Sequence, residues 1–383
     1  MGDGLTNRPT SSDQKRMRMA GSKITWDTGT AYDLFVSLDV LHKPAEFDLR
    51  GSWAAGVRAR LPAAQRQVLE QSLLLIHAPL AWIYALPAPK DGGAALWALR
   101  QISPEKRLAT LVLEPACDPA WPVEYAAILG EVSARRQWDE DDLEALNAIY
   151  RHATDCHEKK PPSRQDLFKI LDWWTRAEEF GERYLEALTA YYDAFFGQEE
   201  RRIRPALQRA ISRAQERAQE LPLTDLMEEL TQGLRFEALS KGEGVILAPS
   251  YWSTPLAYFC KLDSKRTLYL FGARPPEDSL VPGEVVPETI LRVQQALSDS
   301  TRLLILKYLS EQPLTPTQLA QRLRLRVPTV VHHLKVLRLA GLVRLTLVGE
   351  NATTKHYAAR QEAVELAYET LQRFLGGGGT PGN

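Results

Sequence analysis

Cationic and polar side chains are concentrated between Arg324 and Lys355, toward the carboxyl end of the 383-residue chain. Arginine and lysine bind phosphate oxygens, whereas threonine and histidine can hydrogen bond to the edges of bases. From Arg302 to Arg360 there are ten Lys and Arg residues and two acidic residues, a net charge of +8. Because the whole chain carries −1, the remaining residues carry about −9. This basic segment indicates a polyanionic partner, although a solvated cationic surface would have the same composition.

Three helices are predicted between residue 288 and Arg324. The apolar spacing predicts helices over 288–297 and 301–309, and in the second Leu303, Leu306 and Leu309 have the spacing of a buried face. The third helix is predicted to start at Thr315-Pro316-Thr317-Gln318. Its threonine and glutamine can form a capping box, and its proline suits the first helical position.

A short turn at Arg324-Leu325-Arg326 separates the third helix from a fourth, predicted over 328–340 and ended by Gly341 in a left-handed cap. The side chains predicted to be buried recur at helical spacing: Val327, Val330, Leu334 and Leu337. The alternating segment 342–348, the polar tip 349–353 and the strand 354–358 predict a hairpin. These elements predict a winged helix-turn-helix, which lays one helix in the major groove and the hairpin, or wing, on the phosphate backbone.

The basic segment resembles the ArsR/SmtB family of bacterial transcriptional regulators. The residues that carry the resemblance are Ala296-Leu297-Ser298-Asp299, Thr301-Arg302-Leu303, Leu319-Ala320, His332-His333-Leu334-Lys335-Val336-Leu337 and Ala340-Gly341-Leu342-Val343, with Tyr357 where the second wing strand usually has an aromatic residue. The resemblance covers about 288–369. It implies a homodimer that binds double-stranded operator DNA and represses transcription until an effector releases it. In that family the first and last helices form the dimer interface, which here implies 288–297 and 361–375.

The predicted DNA contacts form two groups. Those expected to bind phosphates are Arg324, Arg326, Arg338 and Lys355. Those expected to approach the groove are Thr329, His332, His333 and Lys335. Where the family tends to have small polar residues, the recognition helix has valines, which can contact thymine methyl groups but cannot read hydrogen-bond patterns.

We expect no cofactor and no bound metal. Family members that sense metals use cysteines in the third helix or His and acidic ligands in the last helix. Here 316–323 has no Cys and 361–375 has no His. His152, Cys156 and His157 have helical spacing, but the exposed polar end of a helix is the favoured interpretation because no partner ligands are evident.

The fold class predicted for the whole chain is mainly α with small β elements. Residues 1–22 are predicted to be a disordered leader, 23–283 a mostly helical accessory domain, 284–375 the winged helix and 376–383 a flexible tail. A capping box at Ser163-Arg164-Gln165-Asp166 is expected to begin a helical region that reaches Glu220 with interruptions near Gly197 and Pro205. Strand candidates at 244–248, 255–262 and 266–271 predict a small sheet near 234–273, and the Pro-rich segment 275–287 is interpreted as a linker.

Aromatic pairs in the accessory region suggest a hydrophobic effector pocket, although core packing is the more common role for any one of them. The residues concerned are Trp173, Trp174, Tyr191, Tyr192, Tyr251 and Trp252.

The sequence therefore predicts a DNA-binding transcriptional regulator, a repressor controlled by a non-metal signal at 23–283. The alternative is an interaction or scaffold protein that uses the winged helix for dimerisation. No catalytic constellation is visible, so we expect no enzyme activity. No apolar segment is long enough to span a membrane, so a cytoplasmic, nucleoid-associated protein is expected.

Overall fold

A computed structural model describes residues 24–47, 49–113, 123–157, 162–236, 244–263, 265–283, 286–348 and 354–376. This part of the chain is mainly helical with two small sheets, which agrees with the predicted fold class. The helices up to residue 230 are α1 (Ala31–His42), α2 (Gly51–Arg58), α3 (Ala63–Ser72), α4 (Leu80–Ala85), α5 (Gly92–Gln101), α6 (Pro104–Val112), α7 (Val123–Arg135), α8 (Glu140–His157), α9 (Arg164–Thr175), α10 (Ala177–Tyr191), α11 (Gly197–Glu220) and α12 (Leu223–Leu230). Those that follow are α13 (Glu288–Leu297), α14 (Ser300–Glu311), α15 (Pro316–Leu323), α16 (Val327–Leu339) and α17 (Gln361–Gly376).

The long helical region begins as predicted and is interrupted just before Gly197, as predicted, but it also has a break that was not predicted. Ser163 and Asp166 form a reciprocal capping box at the start of α9. The helix then breaks at Arg176, and a π-helical turn over Tyr192–Phe196 leads into α11. The predicted break at Pro205 is wrong, since this residue lies inside α11. Pro205 is exposed, so water can reach the carbonyl that its missing N–H leaves unbonded.

The first sheet has the strand order β1-β3-β5-β4. Its strands are β1 (Ile24–Trp26), β3 (Gly244–Ser250), β4 (Tyr258–Lys261) and β5 (Arg266–Gly272). β1, β3 and β5 are parallel, and β4 closes the edge as an antiparallel strand. Ile246 and Leu268 face the large helical core, whereas Val245 and Leu247 face a second cluster formed with α11 and α12. Burial on both faces explains why β3 is apolar along its length instead of alternating.

The second sheet joins the accessory region to the wing. Its strands are β2 (Leu234–Phe236), β6 (Val343–Val348) and β7 (Thr354–Ala359). β6 and β7 form the predicted wing hairpin. β2 was not among the predicted strands. It lies within 234–273, where the small sheet was predicted, but it pairs in parallel with β6, with Leu234 opposite Leu345. The wing is therefore three-stranded, and its third strand comes from the accessory region.

The winged helix has its own core, built by helices with local caps. The Asp299 carboxylate accepts from Arg302 N, Thr315 and Gln318 form the predicted capping box, and Gly341 has φ +71°. Val330, Leu334 and Leu337 are buried as predicted.

Two predicted core positions in this unit are wrong. Leu303 is 49% exposed because the buried side of α14 is set by Ile305 and Leu309, and Leu303 lies on the opposite side. Val327 is 39% exposed because the buried stripe of α16 begins only at Val330.

The segment interpreted as a linker packs against the fold. Leu280 is fully buried, and its N–H and the Ser279 hydroxyl both donate to Glu288 at the start of α13. Glu288 also pairs with Arg274 and Arg292, and Arg292 donates to the Phe47 carbonyl. The domain boundaries themselves stay a prediction.

Candidate nucleic-acid interface

One face of α16 is open to solvent and polar. Thr329, His332 and Lys335 are exposed on it, whereas Leu334 and Leu337 on the other side are buried in the winged-helix core. The spacing of three residues places the exposed side chains in one row along the helix. This row can enter a groove and offers one hydroxyl, one imidazole and one ammonium group.

The turn before α16 adds guanidinium groups to this face. Arg324 and Arg326 are exposed, and Arg324 has φ +53° because it forms the left-handed cap of α15. Arg322, in the last turn of α15, is also exposed, and its guanidinium lies 5.7 Å from the centre of the Tyr308 ring. Sequence reasoning missed Arg322, although the absence of any acidic residue from 312 to 349 could have indicated it.

The four cations Arg322, Arg324, Arg326 and Lys335 make no ion pair with the described residues. Elsewhere in the chain exposed arginines are commonly paired, as Arg135 is with Asp142 and Arg183 with Glu179. An unpaired set retains its full positive potential for an external anion. This surface, which we call the α15–α16 cationic surface, is defined by Arg322, Arg324, Arg326, Thr329, His332 and Lys335.

His333 does not belong to that surface. It is half-buried, and its Nδ1 lies 3.9 Å from the Asp299 carboxylate at the start of α14. Burial lowers the pKa of His333, while the nearby Asp299 acts in the opposite direction. The imidazole therefore faces the N-terminus of α14 and is withdrawn from the exposed row.

Arg338 was predicted to bind phosphate, and its placement contradicts this. It is 8% exposed and lies on the inner side of α16, four residues after the buried Leu334. Its guanidinium donates to the carbonyls of Thr231 at 2.8 Å and Gln232 at 2.9 Å. The acceptors lie at the end of α12, more than a hundred residues earlier, so no local pattern could have indicated them.

The wing contributes less to the described surface than the sequence suggested. Lys355 is half-buried on β7 and is engaged in an interaction within the chain. The wing tip, 349–353, lies outside the described residues and includes Glu350.

A comparison with protein-family models identifies this unit. Residues 299–344 match the model for bacterial regulatory protein, arsR family. These residues are an arsR-family helix-turn-helix domain. The match spans α14, α15, α16 and the first residues of β6, so it includes the whole α15–α16 cationic surface. No curated protein and no solved structure matched the chain.

The aromatic side chains predicted to line an effector pocket lie outside the arsR-family domain and behave as core residues. Trp173, Trp174, Tyr191, Tyr251 and Trp252 are buried, and Tyr192 is half-buried with its hydroxyl donating to Glu200 at 2.7 Å. A groove of about 520 Å³ lies between α5, α6 and α10, but none of the six lines it. Their placement gives no support to an effector site at these residues.

No cluster of three or more His, Cys, Asp or Glu side chains suited to a metal ion occurs in the described part of the chain. His152, Cys156 and His157 lie on α8, but their side chains are outside the described residues. None of the described helices is long and apolar enough to cross a membrane.

Proposed function

We propose that the chain is a transcriptional repressor that binds double-stranded operator DNA as a homodimer through its arsR-family domain. The observation that carries the proposal is the α15–α16 cationic surface, which is exposed, makes no ion pair with the described residues and is centred on the helix that follows the turn. Arg322, Arg324 and Arg326 bind phosphates on either side of the groove, and Thr329, His332 and Lys335 approach the base edges.

The homodimer is supported by the last helix. No residue of α17 is buried within the chain, although the helix carries large apolar side chains. These are Val364, Leu366, Tyr368, Phe374 and Leu375. Val364, Tyr368 and Leu375 lie on one side of this helix, and such an exposed apolar face favours a partner.

By contrast, α13 offers little for a dimer interface. Ile290, Arg292, Val293 and Ala296 are already buried within the same chain, so the dimer is proposed to form mainly through α17. The accessory region receives a non-metal signal in this proposal, its effector being a small molecule. We also propose nucleoid association and no enzyme activity. A turnover that is lost on substitution of one polar residue in 23–283 would overturn the last point.

The alternative function is a scaffold that uses the winged helix for association alone. It is favoured by the recognition helix, where Val327 and Val331 occupy positions at which polar contacts would be expected. The two functions differ in what the α15–α16 cationic surface does.

The test is the affinity of the full chain for a fragment of its own promoter at several salt concentrations. We expect log K to fall with log salt, with a slope of about −0.9 per phosphate contact. The double substitution His332→Ala and Lys335→Ala is expected to weaken binding by roughly tenfold or more, and Lys307→Ala, outside the surface, is the matched control. A slope near zero, or unchanged affinity in the double variant, would favour the scaffold.

A further inference from the structure

The accessory region holds the recognition helix from its inner side. Arg338 occupies the last turn of α16, and its two hydrogen bonds go to the carbonyls of Thr231 and Gln232, which follow α12 directly. Helix carboxyl ends carry partial negative charge, so this position suits a cation. The contact fixes the end of α16 relative to α12.

Arg338 depends on these carbonyls because it has no carboxylate partner in the described residues. Burial lowers its pKa to about 10, and the nearby Arg360 acts in the same direction. A buried guanidinium whose hydrogen bonds are removed is costly, so displacement of α12 is expected to displace α16 as well.

The same segment also holds the wing. After α12 the chain turns at Gln232 and Gly233, which have φ +54° and +102°, and enters β2. The Gly233 carbonyl accepts from Leu345 N at 2.7 Å, and β2 then pairs along β6. Leu345 and Leu347 pack against the accessory cluster that contains Leu226 and Met227 of α12.

An ionic contact completes the attachment. Glu228 of α12 pairs with Arg344 of β6 and, at 3.0 Å, with Arg235 of β2. Three kinds of contact therefore connect the segment 223–236 to the DNA-binding unit: carbonyl hydrogen bonds to Arg338, strand pairing, and the ion pair between Glu228 and Arg344.

We propose that the segment 223–236 positions the recognition helix and the wing for DNA, with Arg338 as a positioning residue that never contacts DNA. The inference rests on the proposed function, because it concerns how that DNA surface is held. It makes α12 and β2 part of the DNA-binding unit, and it gives any signal received by the accessory region a physical path to the operator.

The critical variant is Gly233→Ala in the full chain. A Cβ at this residue would lie 3.1 Å from the Val343 carbonyl and 2.8 Å from Arg360 Cδ, and the φ disfavours alanine. Gly283→Ala is the matched control, since Gly283 also has a positive φ, +80°, but nothing within 4 Å of an added Cβ. Arg338→Gln tests the positioning residue itself, and Glu228→Gln is a milder variant should the others not fold.

Two measurements are made on each variant. Hydrogen exchange of the free protein is expected to accelerate at the Leu345 amide in Gly233→Ala, whereas the Tyr357 amide, bonded to Leu314 on the other side of the wing, is unchanged. DNA affinity is expected to fall roughly tenfold in Gly233→Ala and Arg338→Gln with the salt slope unchanged, because no phosphate contact is lost. Gly283→Ala is expected to change neither measurement.

The results that would contradict the positioning role can be distinguished from one another and from a failure of the proposed function. A salt slope reduced by about 0.9 in Arg338→Gln would mean that the side chain contacts phosphate, and the positioning role would be overturned. Tighter DNA binding in Gly233→Ala would also overturn the positioning role, since the native segment 223–236 would then hold the DNA-binding surface in an orientation that weakens binding. If the wild-type chain has no salt-dependent DNA affinity, the proposed function fails with it, whereas exchange at Leu345 still reports whether β2 holds β6.

Discussion

Asp33 is a carboxyl group buried in the middle of the helical core. Its Oδ1 accepts hydrogen bonds from the Ser250 hydroxyl and the Trp252 N–H, both at 2.8 Å, so it ties α1 to the end of β3. Its Oδ2 has no hydrogen-bond partner in the described residues. Burial raises the pKa of Asp33 to about 7, against the lowering effect of these hydrogen bonds. A group in this position makes the stability of the accessory region depend on pH.

The sign of that dependence follows from the proton count. In the unfolded chain Asp33 has its ordinary pKa near 4, so between about pH 4 and pH 7 the folded protein binds one more proton than the unfolded chain. Protonation of Asp33 therefore stabilises the folded chain. This contribution to the free energy of unfolding is fully present below about pH 4 and is lost as the pH rises to about 7. The expected slope is up to about 1.4 kcal/mol per pH unit.

Replacing Asp33→Asn tests this assignment. The amide retains the acceptor for Ser250 and Trp252 but cannot ionise, so the variant is expected to unfold at a higher temperature than the wild type at pH 8. At pH 4, where Asp33 is protonated in the folded chain and partly protonated in the unfolded chain, the two should be similar. Thermal unfolding at both pH values is the measurement, and an equal difference at the two would show that Asp33 ionises normally.

At the scale of elements, the turn between α15 and α16 combines two requirements. Arg324 must adopt a left-handed conformation to cap α15, and its side chain belongs to the α15–α16 cationic surface. The Leu325 N–H bonds to the Ala320 carbonyl across this cap. An L-residue in this conformation costs about 1 kcal/mol, a cost that glycine avoids.

The pair Arg324→Gly and Arg324→Ala separates the two requirements. Both variants are expected to reduce the salt slope of DNA binding by about 0.9, because each removes one phosphate contact. The glycine variant is expected to be the more stable of the two, since alanine retains the strained conformation. Salt-dependent binding and denaturant unfolding are the measurements. Unequal slopes would mean that the turn, and not the charge, controls the affinity.

At the scale of the whole molecule, the chain exposes an apolar face on α17 and covers the inner side of its DNA-binding unit with the accessory region. The exposed α17 is proposed as the main contact with a second copy, and the segment 223–236 as the contact within the copy. In this arrangement the homodimer sets the spacing of the two recognition helices, while the accessory region sets the orientation of each.

The substitutions Val364→Lys and Tyr368→Lys together test the dimer. Both side chains are exposed and lie one turn apart on the same side of α17, so two lysines there are expected to shift the protein to the mass of one chain. Glu369→Lys, on another side of the helix, is the control and should retain the dimer. Light scattering after gel filtration gives the mass, and a dimer that persists in the double variant would exclude this face.

The amino-acid sequence by itself determined the helix-turn-helix and the position of its cationic turn. The Thr315–Gln318 capping box, the Asp299 cap, the Gly341 turn and the spacing of Val330, Leu334 and Leu337 are all relations between residues a few positions apart. Such relations can be predicted from one sequence because helix geometry determines which side chains a few positions apart come into contact.

Only the tertiary structure decided what holds that unit in place. The residue type and helix position of Arg338 suggest a phosphate contact. Its hydrogen-bond acceptors, however, lie 106 and 107 residues away in sequence, and its side chain is buried against them. β2 is a three-residue strand whose partner is in the wing, and a strand this short has too little pattern to select its neighbour. Contacts at such separations depend on how the core folds the chain back, which local spacing does not encode.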